Sequence, residues 1–532
     1  MVSRRQFLAA PAAVWLARGA ITPPDFPEHV EIRPEAYANW DGTITTGPLW
    51  TCVPRTTTDV VTVVNWAHRH SYTVRAQGLR RGWSPLTVAP GQRGDVLLVD
   101  TTQHLTAMSV SGDQVRVQAG ATMESLLEHL AGHGLGLTAA PSPGSLTVGG
   151  VLAVNGHGSA IPARGERVAA GHTFGSLANA VLALTAVVWD GAKYAERTFR
   201  RDEADCAAFL THLGRAFVTE VTLRAGPDQN LHCRSHLDVP AAELFSATPG
   251  PRSYSTLLDR AGRVGVIWFA FTDKPWVQVW EVSPTRPALS RPTQGPYNYP
   301  FTDNLPPDVA DLAKRIVQGK PDLAPAYGNV QRLAIGAGLT ATAAWDLWGP
   351  SRHVMLFVKP TTARITSSSC AVLTPRAKLQ DVVHRFTTFY ANLLESYRAR
   401  GLYPINGAVE IRVSGLDDPA DTGVPGAVAP ALSPVRPHPG CDVAVWLDVI
   451  TFPGTPGAHE FYRDLEDFAH ATWPGRVRAE WSKRWGHTSR GPWTDLRRIP
   501  AAYPDWDGAV RTLHRYDPHR VFTSPLLDEL LE

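Results

Sequence analysis

Residues 75–88 read RAQGLRRGWSPLTV. The aromatic and β-branched run Tyr72-Thr73-Val74 enters this stretch as a strand, and Gly78 and Gly82 then turn the chain around Arg80 and Arg81. A strand that runs into a glycine loop presents free N–H groups, which suit phosphate oxygens. Before it, Thr57-Thr58-Asp59 reads as a helix start, continued by the one-sided apolar pattern of VVTVVNWAHRH. After it, VLLVD at 96–100 and VRVQAG at 115–120 read as buried strands. Residues 122–132 read as a helix with Thr122 as N-cap. Its Glu124 falls one position short of a capping box, because Ser125 holds that place. VLALTAVVW at 181–189 and FVTEVTLR at 217–224 add two strands. Alternating strands and helices of this kind make an α+β domain ending near residue 226.

The 532 residues carry 51 basic and 49 acidic side chains, a formal net charge of +2, and 44% are hydrophobic. That length supports two or three domains around a large core. No basic block or stripe stands out, so no nucleic-acid partner is expected. The five cysteines, Cys52, Cys206, Cys233, Cys370 and Cys441, form no CxxC pair and point to no metal site. Residues 1–20, MVSRRQFLAAPAAVWLARGA, hold a twin-arginine pattern and an apolar stretch too short to span a bilayer, which predicts export.

Beyond residue 226 the composition changes. Residues 250–310 are rich in Pro, Trp and Tyr with broken periodicity. Residues 378–400 read as a helix, AVEIRVSG at 408–415 and CDVAVWLDVI at 441–450 as strands, and 458–471 as a helix. A second glycine-rich stretch, PSPGSLTVGGVLAVNGHGSA, covers 141–160. Neither loop is a Walker A sequence or a GxGxxG.

VPRTTTDVVTVVNWAHRHSYTVRAQG, VRVQAGATMESLLEHL, GSLTVGGVLAVNGHG and LGRAFVTEVTLRAGP occur in that order. The domain resembles the FAD-binding domain of the vanillyl-alcohol oxidase/PCMH superfamily. FTDKPWVQVWEVSP, GPYNYPFTDNLP, GAVEIRVSG, DVAVWLDV, FPGTPGAHEFYRDLE, AEWSKRWG and DPHRVFTSP resemble the class II cholesterol oxidases within it. The resemblance implies an FAD-binding domain over 21–226, a mixed-sheet substrate-binding domain over 227–475, and a segment, 476–532, that returns to the FAD domain. It implies FAD as cofactor, an apolar sterol as substrate, O2 as acceptor, and transient contact with a membrane surface. It assigns cofactor contacts to Gln77, Gly78, Leu79, Arg80, Arg81, Gly82 and Trp83, and to Gly144, Gly149, Gly150, Asn155, Gly156, His157, Gly158 and Val221. The histidine that commonly tethers the flavin in this superfamily falls on Arg81. A guanidinium stays protonated and cannot replace a neutral imidazole as nucleophile, so non-covalent FAD is expected. Arg80 and Arg81 either supply charge to the pyrophosphate, or one of them is a solvated loop residue.

In VEIRV, Glu410 and Arg412 point to one face and Val409, Ile411 and Val413 to the other. The resemblance places this Glu and Arg at the flavin's reactive face, with Glu410 as base and proton shuttle and Arg412 stabilising developing negative charge. Asp273, Glu480 and Lys483 are further catalytic candidates. Ser367 falls where the family has Glu and Asp448 where it has Asn; Asp448 is either protonated or itself a base. The leading reading is an FAD-dependent oxidase of 3β-hydroxysterols. The alternatives are a flavin-dependent oxidoreductase of another bulky apolar secondary alcohol, and a sterol-binding protein with little turnover.

Overall fold

The computed structural model describes residues 22–303, 307–486, 496 and 498–531. The twin-arginine stretch expected at 1–20 lies outside them. Strands β1 (Glu31–Ala38) and β2 (Thr45–Val53) pair antiparallel. Helix α1 (Thr57–Arg69) follows, then β3 (Thr73–Gln77) and β4 (Val96–Asp100). The four strands form a sheet in the order β1-β2-β4-β3, with β4 parallel to both its neighbours. The cap of α1 is Thr56, one residue before the expected start. Its hydroxyl accepts from Asp59 N (3.1 Å), and Asp59 Oδ2 accepts from Thr56 N (2.9 Å).

An antiparallel sheet follows, made of β5 (Met108–Ser111), β6 (Gln114–Gln118), β7 (Val181–Trp189), β8 (Tyr194–Arg200) and β9 (Phe217–Arg224) in the order β5-β6-β9-β7-β8. Val60, Val63, Val64 and Trp66 of α1 pack in one core with Leu97 and Val99 of the first sheet and Val187 and Phe217 of the second. Helix α2 (Met123–Ala131) begins at Thr122 as expected, but the capping box is complete. The Ser125 hydroxyl accepts from Thr122 N (3.1 Å), the role for which a longer acidic side chain was sought. The short α3 (Val148–Ala153) carries the second glycine stretch.

The third sheet has nine strands. With β10 (Asn230–His236), β11 (Arg263–Phe269), β12 (Trp276–Val282), β13 (Asp346–Pro350), β14 (Thr366–Thr374), β15 (Ala408–Gly415), β16 (Val443–Thr451) and β17 (Val477–Ala479), its order is Arg291–Pro292, then β13-β10-β12-β11-β15-β16-β14-β17. Strands β11 and β12 fall inside the region whose periodicity looked broken. Both are largely buried across both faces, so neither shows a clean alternation in sequence. Helices α4 (Tyr254–Ala261), α5 (Leu379–Arg398) and α6 (Ala458–Thr472) cover one face through a core that includes Val409, Ile411, Val413, Val445, Leu447 and Val449.

After β17 the chain packs onto the five-stranded sheet. Helix α7 (Trp506–Tyr516) contributes Trp506, Ala509 and Leu513 to the core that holds Val115, Leu184 and Leu223. Val74 N donates to Val521 O at 2.7 Å, so the tail also borders the first sheet. No helix among the described residues is long and apolar enough to cross a membrane. The five cysteines are unpaired.

Candidate active site

The first glycine loop leaves β3 with Arg80 in the left-handed region (φ 56°). The N–H groups of Leu79, Arg80, Arg81 and Gly82 meet no protein acceptor among the described residues. Gln77 Oε1 and Asn155 Nδ2 are buried and equally unpartnered there. An array of free amides on a tight turn, with buried polar ends beside it, fits a pyrophosphate-bearing cofactor. Gly78 is required by closeness: a Cβ there would lie 2.3 Å from Thr147 Oγ1, so the two loops touch.

The arginines are not left for solvent or phosphate alone. Arg80 pairs with Glu35 and lies over the Tyr37 ring. Arg81 donates to Ser145 Oγ at 2.6 Å and lies over Trp40, so it bridges to the second loop. Trp83 N donates to Ser482 O (2.7 Å) and its ring carries Lys483 Nζ 4.7 Å from the centroid. Leu79 is exposed.

The second loop departs further from expectation. Gly149 N donates to Ala119 O, Gly150 N to Thr147 Oγ1 and Gly156 N to Val151 O, so these amides are spent inside the protein. Their small size serves packing: a Cβ on Gly149 would meet Ala119 Cβ at 2.8 Å, and one on Gly158 would meet Ala139 Cβ at 2.4 Å. Gly144 is closed in by Phe357 and Glu124, and Asn155 is left-handed (φ 59°). His157 donates from Nδ1 to Gly158 O (2.9 Å) and stacks on Trp446 at 3.6 Å. Val221 turns its side chain into the core that also holds Val148, Val151 and Leu152 of the second loop.

On the face of the nine-stranded sheet away from α4–α6, strand register gathers the chemistry. Glu410 on β15 is paired with Asp448 on β16, and Arg412 with Trp446. Glu410 and Arg412 line a pocket together with Ser142, His157, Ile267, Gln278, Trp280 and Leu356. A second pocket shares Ala140, Ser142, Met355 and Leu356 with it and runs on past Leu127, Leu137 and Phe357. Glu480 and Lys483 arrive on the turn after β17, where Lys483 N donates to Glu480 O.

Asp448 is fully buried between two cations. Arg412 Nη2 donates to its Oδ2, Lys483 Nζ donates to its Oδ1 at 2.7 Å, and Ser367 Oγ lies 3.4 Å from Oδ1. The Glu410 carboxylate is 4.0 Å from Arg412 Nε. Glu480 Oε1 lies 3.9 Å from Lys483 and 3.6 Å from His157 Nε2. Burial pushes the Glu410 carboxyl above its ordinary pKa; Arg412 and Lys483 oppose the rise, and Asp448 and Glu480 add to it. Burial also works against ionised Glu480, but Lys483, His157 and Arg412 together hold it well below the usual carboxylate range. Asp273 is exposed on the turn between β11 and β12 and makes no ion pair with the group among the described residues. Gln278, Trp280, Ser145 and Trp446 were missed from sequence. The Trp two places before Asp448 is the signal that marks one of them; Gln278 and Trp280 lie on β12, a strand buried on both faces.

A glycine-loop domain with a free-amide cradle, set beside a sheet whose carboxylate and guanidinium end an apolar cavity, defines a two-domain flavin-dependent oxidoreductase. Residues 48–192 match the FAD binding domain family and residues 230–532 the family described as cholesterol oxidase, substrate-binding. The chain is 49% identical to a solvent-stable cholesterol oxidase of known structure, with a TM-score of 0.94 over 96% of this chain and 100% of that one. It is 41% identical to a cholesterol oxidase from B. sterolicum, with a TM-score of 0.94 over 96% and 99%. One stretch of 116 residues is 28% identical to probable L-gulonolactone oxidase 4 of Arabidopsis thaliana, covering 22% of this chain and 20% of that protein. The chain belongs to the cholesterol oxidases built on the vanillyl-alcohol oxidase/PCMH-type fold, and its cofactor is FAD.

Proposed function

We propose that this protein oxidises the 3β-hydroxyl of cholesterol to cholest-4-en-3-one and reduces O2 to hydrogen peroxide. The observation that carries the reading is the apolar cavity that ends on Glu410 and Arg412. FAD held in the amide cradle would supply a two-electron acceptor for the C3 hydride and the reducing equivalents for O2. Trp280, Ile267 and Leu356 exclude water around the ring system. Glu410, when ionised, takes the hydroxyl proton, and Arg412 stabilises the developing charge on the substrate oxygen. The same carboxyl can carry a proton from C4 to C6, which conjugates the double bond with the new ketone. Gln77, the amides of residues 79–82, Ser145 and Asn155 are the groups that would hold the cofactor.

The test presents cholesterol in phospholipid vesicles, which also probes contact with a membrane surface, and follows peroxide and the ultraviolet absorbance of the conjugated enone. Both products appear together with sterol consumption. Peroxide at the no-sterol background, with the FAD-loaded protein, overturns the reading.

A further inference from the structure

Five buried or half-buried ionisable groups meet at the cavity: the carboxyls of Glu410, Asp448 and Glu480, and the cations Arg412 and Lys483. His157 borders them through Glu480. If all three carboxyls ionise beside a neutral His157 ring, the cluster holds one negative charge too many for its two cations. Buried charge without a close partner is costly, so such a cluster keeps one proton. Which carboxyl keeps it is decided by who holds the cations. Asp448 takes both, through direct hydrogen bonds from Arg412 and from Lys483 at 2.7 Å. Glu480 retains Lys483 at 3.9 Å and the His157 ring at 3.6 Å. Glu410 is left with a 4.0 Å approach to Arg412 Nε and no hydrogen bond from it.

We propose that Asp448 is a positioning residue: by gripping Arg412 and Lys483 it turns both cations away from Glu410 and makes Glu410 the carboxyl that keeps the proton of the resting site. Glu410 is therefore a base only in the fraction of molecules that have released that proton. This inference deepens the reading of Glu410 as the base. Replacing Asp448 by Asn leaves two carboxyls for two cations. Arg412 is then free for Glu410, which ionises to balance it. The groups that face Glu410 are Arg412 on its own strand, Asp448 on the paired strand, Glu480 and Lys483 on the turn after β17, and His157 of the second loop, which lines the same cavity.

The experiment measures the pH dependence of kcat/KM for cholesterol and, on the FAD-loaded protein without substrate, the infrared band of a protonated carboxyl in wild type minus Glu410→Gln. Activity that needs ionised Glu410 rises with pH through its pKa. In Asp448→Asn the acidic limb and the infrared titration both move to lower pH by about one unit or more. In Lys483→Met, which removes a cation, both move to higher pH. Asp448→Glu, which keeps the charge, leaves the limb within a few tenths of wild type. A fallen plateau with limb and band unmoved in Asp448→Asn and Lys483→Met overturns the proposal and makes Asp448 merely structural. The infrared titration needs no turnover, so it decides this point even if cholesterol proves not to be the substrate.

Discussion

Arg81, which by family resemblance falls at the position of a flavin-tethering histidine, has its side chain committed elsewhere. It donates to Ser145 Oγ and lies over the Trp40 ring, joining the two loops that border the cofactor cradle. A protonated guanidinium has no lone pair to attack a flavin methyl. Non-covalent FAD is therefore expected, held by the amides, the buried ends of Gln77 and Asn155, and this bridge. When FAD-loaded protein is precipitated with acid, the flavin is expected in the supernatant and the pellet is expected to be colourless. Flavin fluorescence that stays with the denatured polypeptide would contradict this.

At the scale of one strand, β15 carries two different jobs on its two faces. Glu410 and Arg412 face the cavity, while Val409, Ile411 and Val413 are closed under α4–α6. Substitutions one residue apart should then separate activity from stability. Glu410→Gln keeps the fold and lowers the rate of flavin reduction by about 10²-fold or more, the usual worth of a positioned base. Ile411→Ala costs about 2–5 kcal/mol of stability from lost burial and the space left behind. Stopped-flow absorbance of the flavin and urea denaturation read the two effects. A Glu410→Gln protein that reduces its flavin at a near-normal rate would place the base elsewhere in the cluster.

Across the whole molecule, the segment after β17 does two things at once. It delivers Glu480 and Lys483 to the site and then packs α7 into the core of the five-stranded sheet. Its anchor is Asp517, buried at 3% exposure, which accepts from Arg215, from the Tyr194 hydroxyl, and from Val521 N and Phe522 N at 2.9 Å. Removing the carboxylate leaves Arg215 as an unpaired buried charge. Asp517→Ala is expected to lose about 3–5 kcal/mol in urea denaturation, and its FAD should dissociate faster because Trp83 and Ser84 are tied to the same segment. A loss below about 1 kcal/mol would show that the tail is not held there.

Apolar, β-branched runs marked VLALTAVVW and FVTEVTLR as strands, and alternation in VEIRV placed Glu410 and Arg412 on one face. That information is local, because side-chain direction in a strand depends only on neighbours in the chain. Strands β11 and β12 escaped it, since strands buried on both faces carry no alternation to read. The roles of single glycines and charges were not local either. Gly149 and Gly150 look like free-amide donors, but the fold spends their N–H groups on Ala119 and Thr147. Asp273 is a catalytic candidate by resemblance alone, yet it lies exposed on the turn between β11 and β12. Sequence by itself determined the fold class, the family and the face on which the carboxylate and guanidinium lie. Only the tertiary structure decided which carboxyl is gripped by which cation, because Asp448, Glu480 and Lys483 reach Glu410 through strand pairing and a distant turn, and charge balance in a buried cluster depends on distances of a few ångströms.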